Sequence, residues 1–334
     1  MRRRLLGPHS LRRRRYRQQM AHLDIASLLD PQIAEVLASG PVLGPLSTDT
    51  LAASRGSMRA MAELYERTGK VESTDHVLTS FDGAELHVRV HRPIGVDEPL
   101  PAIVWMHGGG LVAGTHLLDD GRFDRWCPKF GVVGVAVDYG LAPERPYPGP
   151  IEDCYAALRW THERADELGI VPGRVGIGGS SAGGNQAAAL ALLARDRGEL
   201  PVEFQALIYP MLDDRMVTPS SSWDVPIWPP ASNDFGWNAY LQGRRGADDV
   251  PIYAAPARAT DLAGLPPTFI CVGALDGFLD EDVEYATRLL RAGVPVELHV
   301  YPGAPHGFDL MMVNTDIARR CRAHLDEWLA ARLG

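Results

Sequence analysis

The 334-residue sequence predicts an α/β protein with a mostly parallel central sheet flanked by helices. Three observations carry that prediction. Short apolar runs of strand length recur along the chain, helical patterns lie between them, and no solenoid-type repeat competes with the alternation. The composition, 46% hydrophobic and 22% charged, is that of an ordinary globular chain and excludes a disordered polymer. No apolar run approaches the roughly 18 residues of a membrane helix, so no stable membrane insertion is expected.

Taken in order, residues 1–19 hold Arg2, Arg3, Arg4, Arg12, Arg13, Arg14, Arg15 and Arg17 with no lysine or acid. Such a like-charge block is expected to be a disordered basic arm, and it lacks the apolar stretch of a secretory signal. Removing those eight charges takes the formal net charge from −9 to −17, a body that repels nucleic acid. Residues 20–70 read as two helices with no strand between them, with start signals at Asp30-Pro31 and Ser47. The segment His87–His91 alternates as a strand. Buried-strand runs follow at Ala102–Met106, Val132–Val137, Arg174–Gly178, Phe204–Tyr209, Thr268–Val272 and Val296–Tyr301. Helices are expected over Ile151–Leu168, Ala182–Arg195 and Asp282–Ala292, the last closed by Gly293. The C-terminal helix puts Ile317, Cys321, Leu325, Trp328 and Leu329 on one stripe. Residues 212–250, with four prolines and with Trp223, Trp228 and Trp237, interrupt the rhythm. Together with 20–75 they are expected to form a discontinuous cap over the body, residues 76–211 and 251–334. Cys127, Cys154, Cys271 and Cys321 lie far apart with no CxxC pair, which points to reduced thiols in a cytoplasm and to no metal site.

The strongest chemical signal is Gly179-Ser180-Ser181-Ala182-Gly183, directly after a strand and before an Ala-rich helix. A nucleophile on a tight strand-to-helix turn needs small neighbours, which Gly179 and Gly183 supply; Ser181 fits the central position and Ser180 does not. A phosphate cradle fails on spacing, since neither G-x-G-x-x-G nor a GK[ST] ending is present. Upstream, His107-Gly108-Gly109-Gly110 closes a buried strand and exposes consecutive N–H groups. With the N–H of Ala182, those of Gly108 and Gly109 are expected to form an oxyanion hole, His107 and Gly110 shaping the loop. His306 lies in the loop after the last strand, where a base would be delivered to the sheet's carboxyl edge; Asp276 follows the strand Thr268–Val272 as the orienting acid. Asp280 and Glu281 compete for that role, but their place suits a helix N-cap. The order Ser181, Asp276, His306 is that of an α/β-hydrolase triad.

On these motifs the chain resembles the hormone-sensitive-lipase-like branch of the α/β-hydrolase esterases from about Asp75 onward, including Asp138-Tyr139-Gly140-Leu141-Ala142-Pro143-Glu144 against the branch's D-Y-R-L-A-P-E. Three departures stand out. Gly140 replaces Arg, Ser180 replaces the commoner acidic residue, and Gly277-Phe278-Leu279 stands where P-L-R is frequent. The resemblance implies a serine carboxylesterase that needs no cofactor and forms an acyl-enzyme with short- to medium-chain esters. Its partner would be a small-molecule ester, with a homodimer left open. Trp223, Trp228, Trp237 and Phe308 are the expected pocket residues. A non-catalytic receptor, like the plant gibberellin receptors that resemble this family without the catalytic His, and a phosphate-binding α/β protein are the competing readings.

Overall fold

The computed structural model describes residues 24–40 and 44–334, so the expected arm over 1–19 lies outside the described residues. One sheet holds β1 (Val71–Thr79), β2 (Glu85–Pro93), β3 (Leu100–Met106), β4 (Val133–Asp138), β5 (Ile170–Ser180), β6 (Gln205–Ile208), β7 (Thr268–Gly273) and β8 (Val296–Tyr301). Their spatial order is β1-β2-β4-β3-β5-β6-β7-β8. The pairs β1–β2 and β2–β4 are antiparallel, and every other pairing is parallel. The central strands β4, β6 and β7 are almost wholly buried, as a parallel sheet covered on both faces requires.

β1 is absent from the sequence expectation; it begins directly after the segment read as helical and inside the expected cap bounds of 20–75. Its sequence, VESTDHVLT, is largely exposed and carries no apolar run. What makes it a strand is a nine-pair antiparallel register with β2, from Val71 opposite Pro93 to Thr79 opposite Glu85. That partner is invisible to periodicity.

The helices are α1 (Ile25–Leu28), α2 (Pro31–Ser39), α3 (Thr48–Glu63), α4 (Asp120–Phe130), α5 (Gly149–Glu163), α6 (Ala182–Arg197), α7 (Pro230–Tyr240), α8 (Leu279–Arg291), α9 (Phe308–Met311) and α10 (Asp316–Leu333). Both start signals operate: Asp30 accepts from the N–H groups of Gln32 and Ile33 ahead of Pro31, and Ser47 forms a capping box with Thr50. Gly293 follows the cap of α8 at φ +83°, a left-handed turn that glycine makes without strain. The sequence expectation lacks α4 and α7. One carries Pro128 near its end, and the other begins on Pro230 within the proline- and tryptophan-rich stretch.

One core cluster joins the sheet to Leu158, Leu190 and Leu289 from α5, α6 and α8; another joins it to Trp126, Leu325 and Leu329 from α4 and α10. A third cluster brings Leu46 and Leu51 together with Trp228, Trp237 and Tyr240. It rests on Leu111, Ala142, Ala182, Met211 and Phe278, residues that follow β3, β4, β5, β6 and β7. The two segments that break the alternation therefore meet over the carboxyl end of the sheet.

Asp280 and Glu281 are not N-caps: α8 starts at Leu279 behind Phe278, and both acids lie in its first turn, where the helix dipole favours them. The Asp280 carboxylate accepts from the Ser220 N–H at 2.8 Å, and Glu281 accepts from the Leu212 and Asp213 N–H groups at 2.7 and 3.2 Å. These bonds pin the 212–222 stretch to the body. Next to them Asp282 is fully buried and makes no side-chain hydrogen bond among the described residues. Burial, then the charges of Glu281 and Asp276, push its carboxyl well above the ordinary value. A raised folded-state value means the unfolded chain loses this proton first. The contribution is thus intact at low pH and is lost as pH climbs from about 4 toward the folded value. Asp282→Asn should therefore raise the melting temperature by a few degrees at about pH 9 and change it little at about pH 4, read by thermal denaturation at both values.

Candidate active site

The first constraint is backbone crowding where β5 turns into α6. A side chain at Gly183 would collide with the carbonyl oxygens of Met106 and His107, and one at Gly179 with the Gly183 carbonyl. Between them Ser181 adopts φ +58° and ψ −119°, a left-handed strain that surrounding bonds must hold. They do so from both sides, since the Ser181 N–H donates to Ile208 at 2.8 Å and its carbonyl accepts from Met211 at 3.1 Å.

That turn aims the Ser181 hydroxyl at His306, with Oγ to Nε2 2.9 Å. On the other side of the ring Nδ1 lies 2.8 Å from Asp276 Oδ2. A carboxylate only accepts, so Nδ1 carries the proton and Nε2 is left to accept from the serine. The second Asp276 oxygen accepts from the Phe278 N–H at 3.0 Å, which fixes the carboxylate plane. All three residues are at most 5% exposed, and the hydrogen bonds form in a low dielectric.

The glycine loop lies against this turn. A Cβ on Gly108 would stand 3.1 Å from the Ser180 carbonyl and 3.4 Å from Ser181 Cβ. Gly109 takes φ +130° and Gly110 φ +63°, and a side chain on either would strike Ala113 or Trp228. The N–H groups of Gly108, Gly109 and Ala182 have no backbone acceptor among the described residues. His107 is buried and stacked on Tyr139 at 4.4 Å, and Tyr139 donates its hydroxyl to the His107 carbonyl at 2.7 Å. Burial depresses the His107 imidazole value, with Asp138 and the Gly108 carbonyl opposing, so the ring is a neutral brace.

Around His306 stand three aromatic rings: Tyr209 at 4.7 Å, Phe278 at 5.1 Å and Trp228 at 6.3 Å. Tyr209 and Phe278 are absent from the sequence-based site. Their signals, the end of a strand run and a departure from P-L-R, do not by themselves indicate a ring packed on a histidine. Trp223, Trp228, Phe278 and Asn233 line a narrow crevice. The other two expected pocket residues do not line it. Trp237 is buried beside Tyr240, and Phe308 sits in the sheet's core against Tyr301. Gly140 also finds its explanation here. The space beside it is filled by Arg145, whose guanidinium bonds Asp153 and Asp82, so an arginine five residues on occupies the room that Gly140 leaves. Among the described residues no group of three or more metal-ligating side chains gathers.

A family model described as alpha/beta hydrolase fold matches residues 103–310. The carboxylesterase NlhH of Mycobacterium tuberculosis is 36% identical over 285 residues, covering 84% of this chain and 88% of its own. An ethyl acetate hydrolase of Pseudomonas putida is 32% identical over 247 residues, with 72% and 78% covered. Among solved structures a bacterial heroin esterase superposes with a TM-score of 0.87 at 39% identity, covering 92% of this chain and 99% of its own.

Two outcomes are expected of this geometry. Gly183→Ala should abolish activity and cost several kcal/mol of stability, as backbone overlap in a packed core does (about 1–3 kcal/mol or more), measured by chemical denaturation. Asp276→Asn should lower kcat about 10⁴-fold with the melting temperature little changed, whereas Asp280→Asn should keep most of the wild-type kcat.

Proposed function

This chain belongs to the α/β-hydrolase family, in its hormone-sensitive-lipase-like branch, and is a carboxylic ester hydrolase; from that premise we propose that Ser181, His306 and Asp276 are its catalytic triad. The single observation that supports the assignment is the unbroken relay Ser181 Oγ–His306–Asp276 at 2.9 and 2.8 Å, on a turn strained to present the hydroxyl. As Ser181 attacks the ester carbonyl, Nε2 of His306 takes its proton, and Asp276 stabilises the imidazolium that forms. The developing oxyanion is received by the N–H groups of Gly108, Gly109 and Ala182, each worth about 3 kcal/mol of the barrier. His306 then returns the proton to the departing alcohol, and water repeats the sequence to free the acid. Every charge created is met by a group already in place.

Substrate size is read from the aromatic rings that crowd the base. Trp228 and Phe278 pack against His306, and with Trp223 they leave only a narrow crevice there. Short to medium esters are the substrates this supports, in keeping with the ethyl acetate hydrolase and heroin esterase to which the chain is similar. Residues 24–75 and 212–250 act as a cap, a reading supported by the cluster that Leu46 and Leu51 share with Trp228 and Trp237 over the carboxyl edge and by the packing of Ile25 with Trp223 and Val225. Four buried free cysteines favour a reducing compartment such as the cytoplasm. For a homodimer, the edge of β8 not paired to β7 is the surface available for strand pairing.

Ser181→Ala should reduce p-nitrophenyl acetate turnover by about 10⁴-fold or more with the fold intact. Wild-type activity in that variant, or its loss in Ser180→Ala instead, would reassign the nucleophile. A p-nitrophenyl series should show acetate, butyrate and octanoate turned over well and palmitate poorly; equal rates across the series would refute the size argument.

A further inference from the structure

Beneath the triad lies a charged group that the mechanism above does not use. Arg122, on α4, is 8% exposed, its guanidinium stacked over the rings of Trp105 at 4.5 Å and Trp126 at 5.0 Å. A buried cation persists only where its donors are matched, and each match here leads somewhere specific. Nε lies 3.2 Å from Asp119 Oδ1. Nη2 lies 3.3 Å from Ser180 Oγ and 3.7 Å from Asp309 Oδ2. Ser180 immediately precedes Ser181, and Asp309 is three residues beyond His306.

The second oxygen of Asp309 accepts the hydroxyl proton of Tyr209, and the Tyr209 ring stands edge-on to His306 at 4.7 Å. Tyr209 itself directly follows β6 at φ +38°, its N–H bonded to the Cys271 carbonyl at 2.6 Å. The departure at Ser180 fits this network. Where an acidic residue is commoner, a hydroxyl here meets the guanidinium, and the carboxylate comes from Asp309 on the base's own loop. Burial opposes the charge of Arg122, but Asp119 and Asp309 outweigh it and hold the guanidinium above the ordinary arginine value.

We propose that Arg122 is a positioning residue, acting with Asp309 and Tyr209 to fix the serine turn and the histidine loop relative to one another. The proposal rests on the assignment of Ser181 and His306 above. An ion pair that served stability alone could give way to apolar packing with little consequence for turnover. This one ties the two segments that carry the reacting atoms through a single nitrogen, Nη2, hydrogen-bonded to Ser180 and ion-paired with Asp309, while Nε is anchored on Asp119.

The test measures kcat and KM for p-nitrophenyl acetate, together with melting temperature, in Tyr209→Phe, Arg122→Met and the double variant. Tyr209→Phe removes one oxygen and keeps the ring on His306. It should lower kcat about 10-fold with KM within about twofold and melting temperature nearly unchanged, since small misplacements of reacting groups act on the chemical step. Arg122→Met should lower kcat further, about 10- to 100-fold, again with KM little changed. The double variant should be no slower than Arg122→Met, because both changes break one network. Folded variants with wild-type kcat, or losses that multiply in the double, overturn the proposal. If Arg122→Met does not fold, Tyr209→Phe decides alone: a wild-type kcat there overturns the proposal and a selective fall in kcat supports it. Ser181→Ala run in parallel separates the two failures. An active Ser181→Ala removes the premise and both readings fall, whereas an inactive one beside a fully active Tyr209→Phe rejects only the role of Arg122.

Discussion

The close approach of two backbones, the end of β3 and the first turn of α6, is the constraint on which the site depends. With no side chains at Gly179 and Gly183, the Met106 and His107 carbonyls come within contact of the helix start. That proximity lays the glycine loop beside Ser181, so that the proposed nucleophile and the N–H groups of the loop share one small volume. The strain at Ser181 is the local cost. It is held because Ile208 and Met211 bond both sides of its peptide from the neighbouring strand.

Most of the charged side chains near the site act as bolts. Glu281 and Asp280 fasten the 212–222 stretch by accepting backbone N–H groups that would otherwise go unpaired. Asp153 accepts from the Gly140 N–H at 2.9 Å while also holding Arg145, and so steadies the residue after Tyr139, whose hydroxyl braces the oxyanion loop. These carboxylates sit where a backbone has few partners, and charge-assisted bonds are the stronger kind. Activity and stability are therefore coupled through shared backbone segments.

Aromatic rings do the complementary task of excluding water. Trp228 covers Gly110 and approaches His306, while Phe278 follows the orienting acid and packs edge-on to the same imidazole. A ring serves on both counts, having bulk to displace solvent and a polarised edge that favours perpendicular contact. A narrow crevice remains between Trp223, Trp228 and Phe278.

How much of this was legible in the chain follows from the range of each cause. The G-S-S-A-G turn, the three glycines after β3, the helix starts at Asp30 and Ser47 and the parallel strands are written locally, in residue size, capping chemistry and apolar period. The order of the proposed triad was legible because each member follows a strand of that parallel sheet. β1, α4 and α7 were not, since β1 exists by pairing with β2, and the two helices carry prolines and polar residues that blur the period. Nor was the separation of Trp228 from Trp237 and Phe308. All three are large apolar residues in loops or short helices, and only the packing decides which one faces the base and which fill the core. The tie from Arg122 to Ser180, Asp309 and Tyr209 lay furthest out of reach. It joins residues 58 and 100 positions apart whose hydrogen bonds leave no periodic trace. The sequence alone determined the chemistry, because a nucleophile turn is a short-range object, whereas the tertiary structure decided what presses on that chemistry, because contact between distant segments is a property of the folded volume and not of the chain.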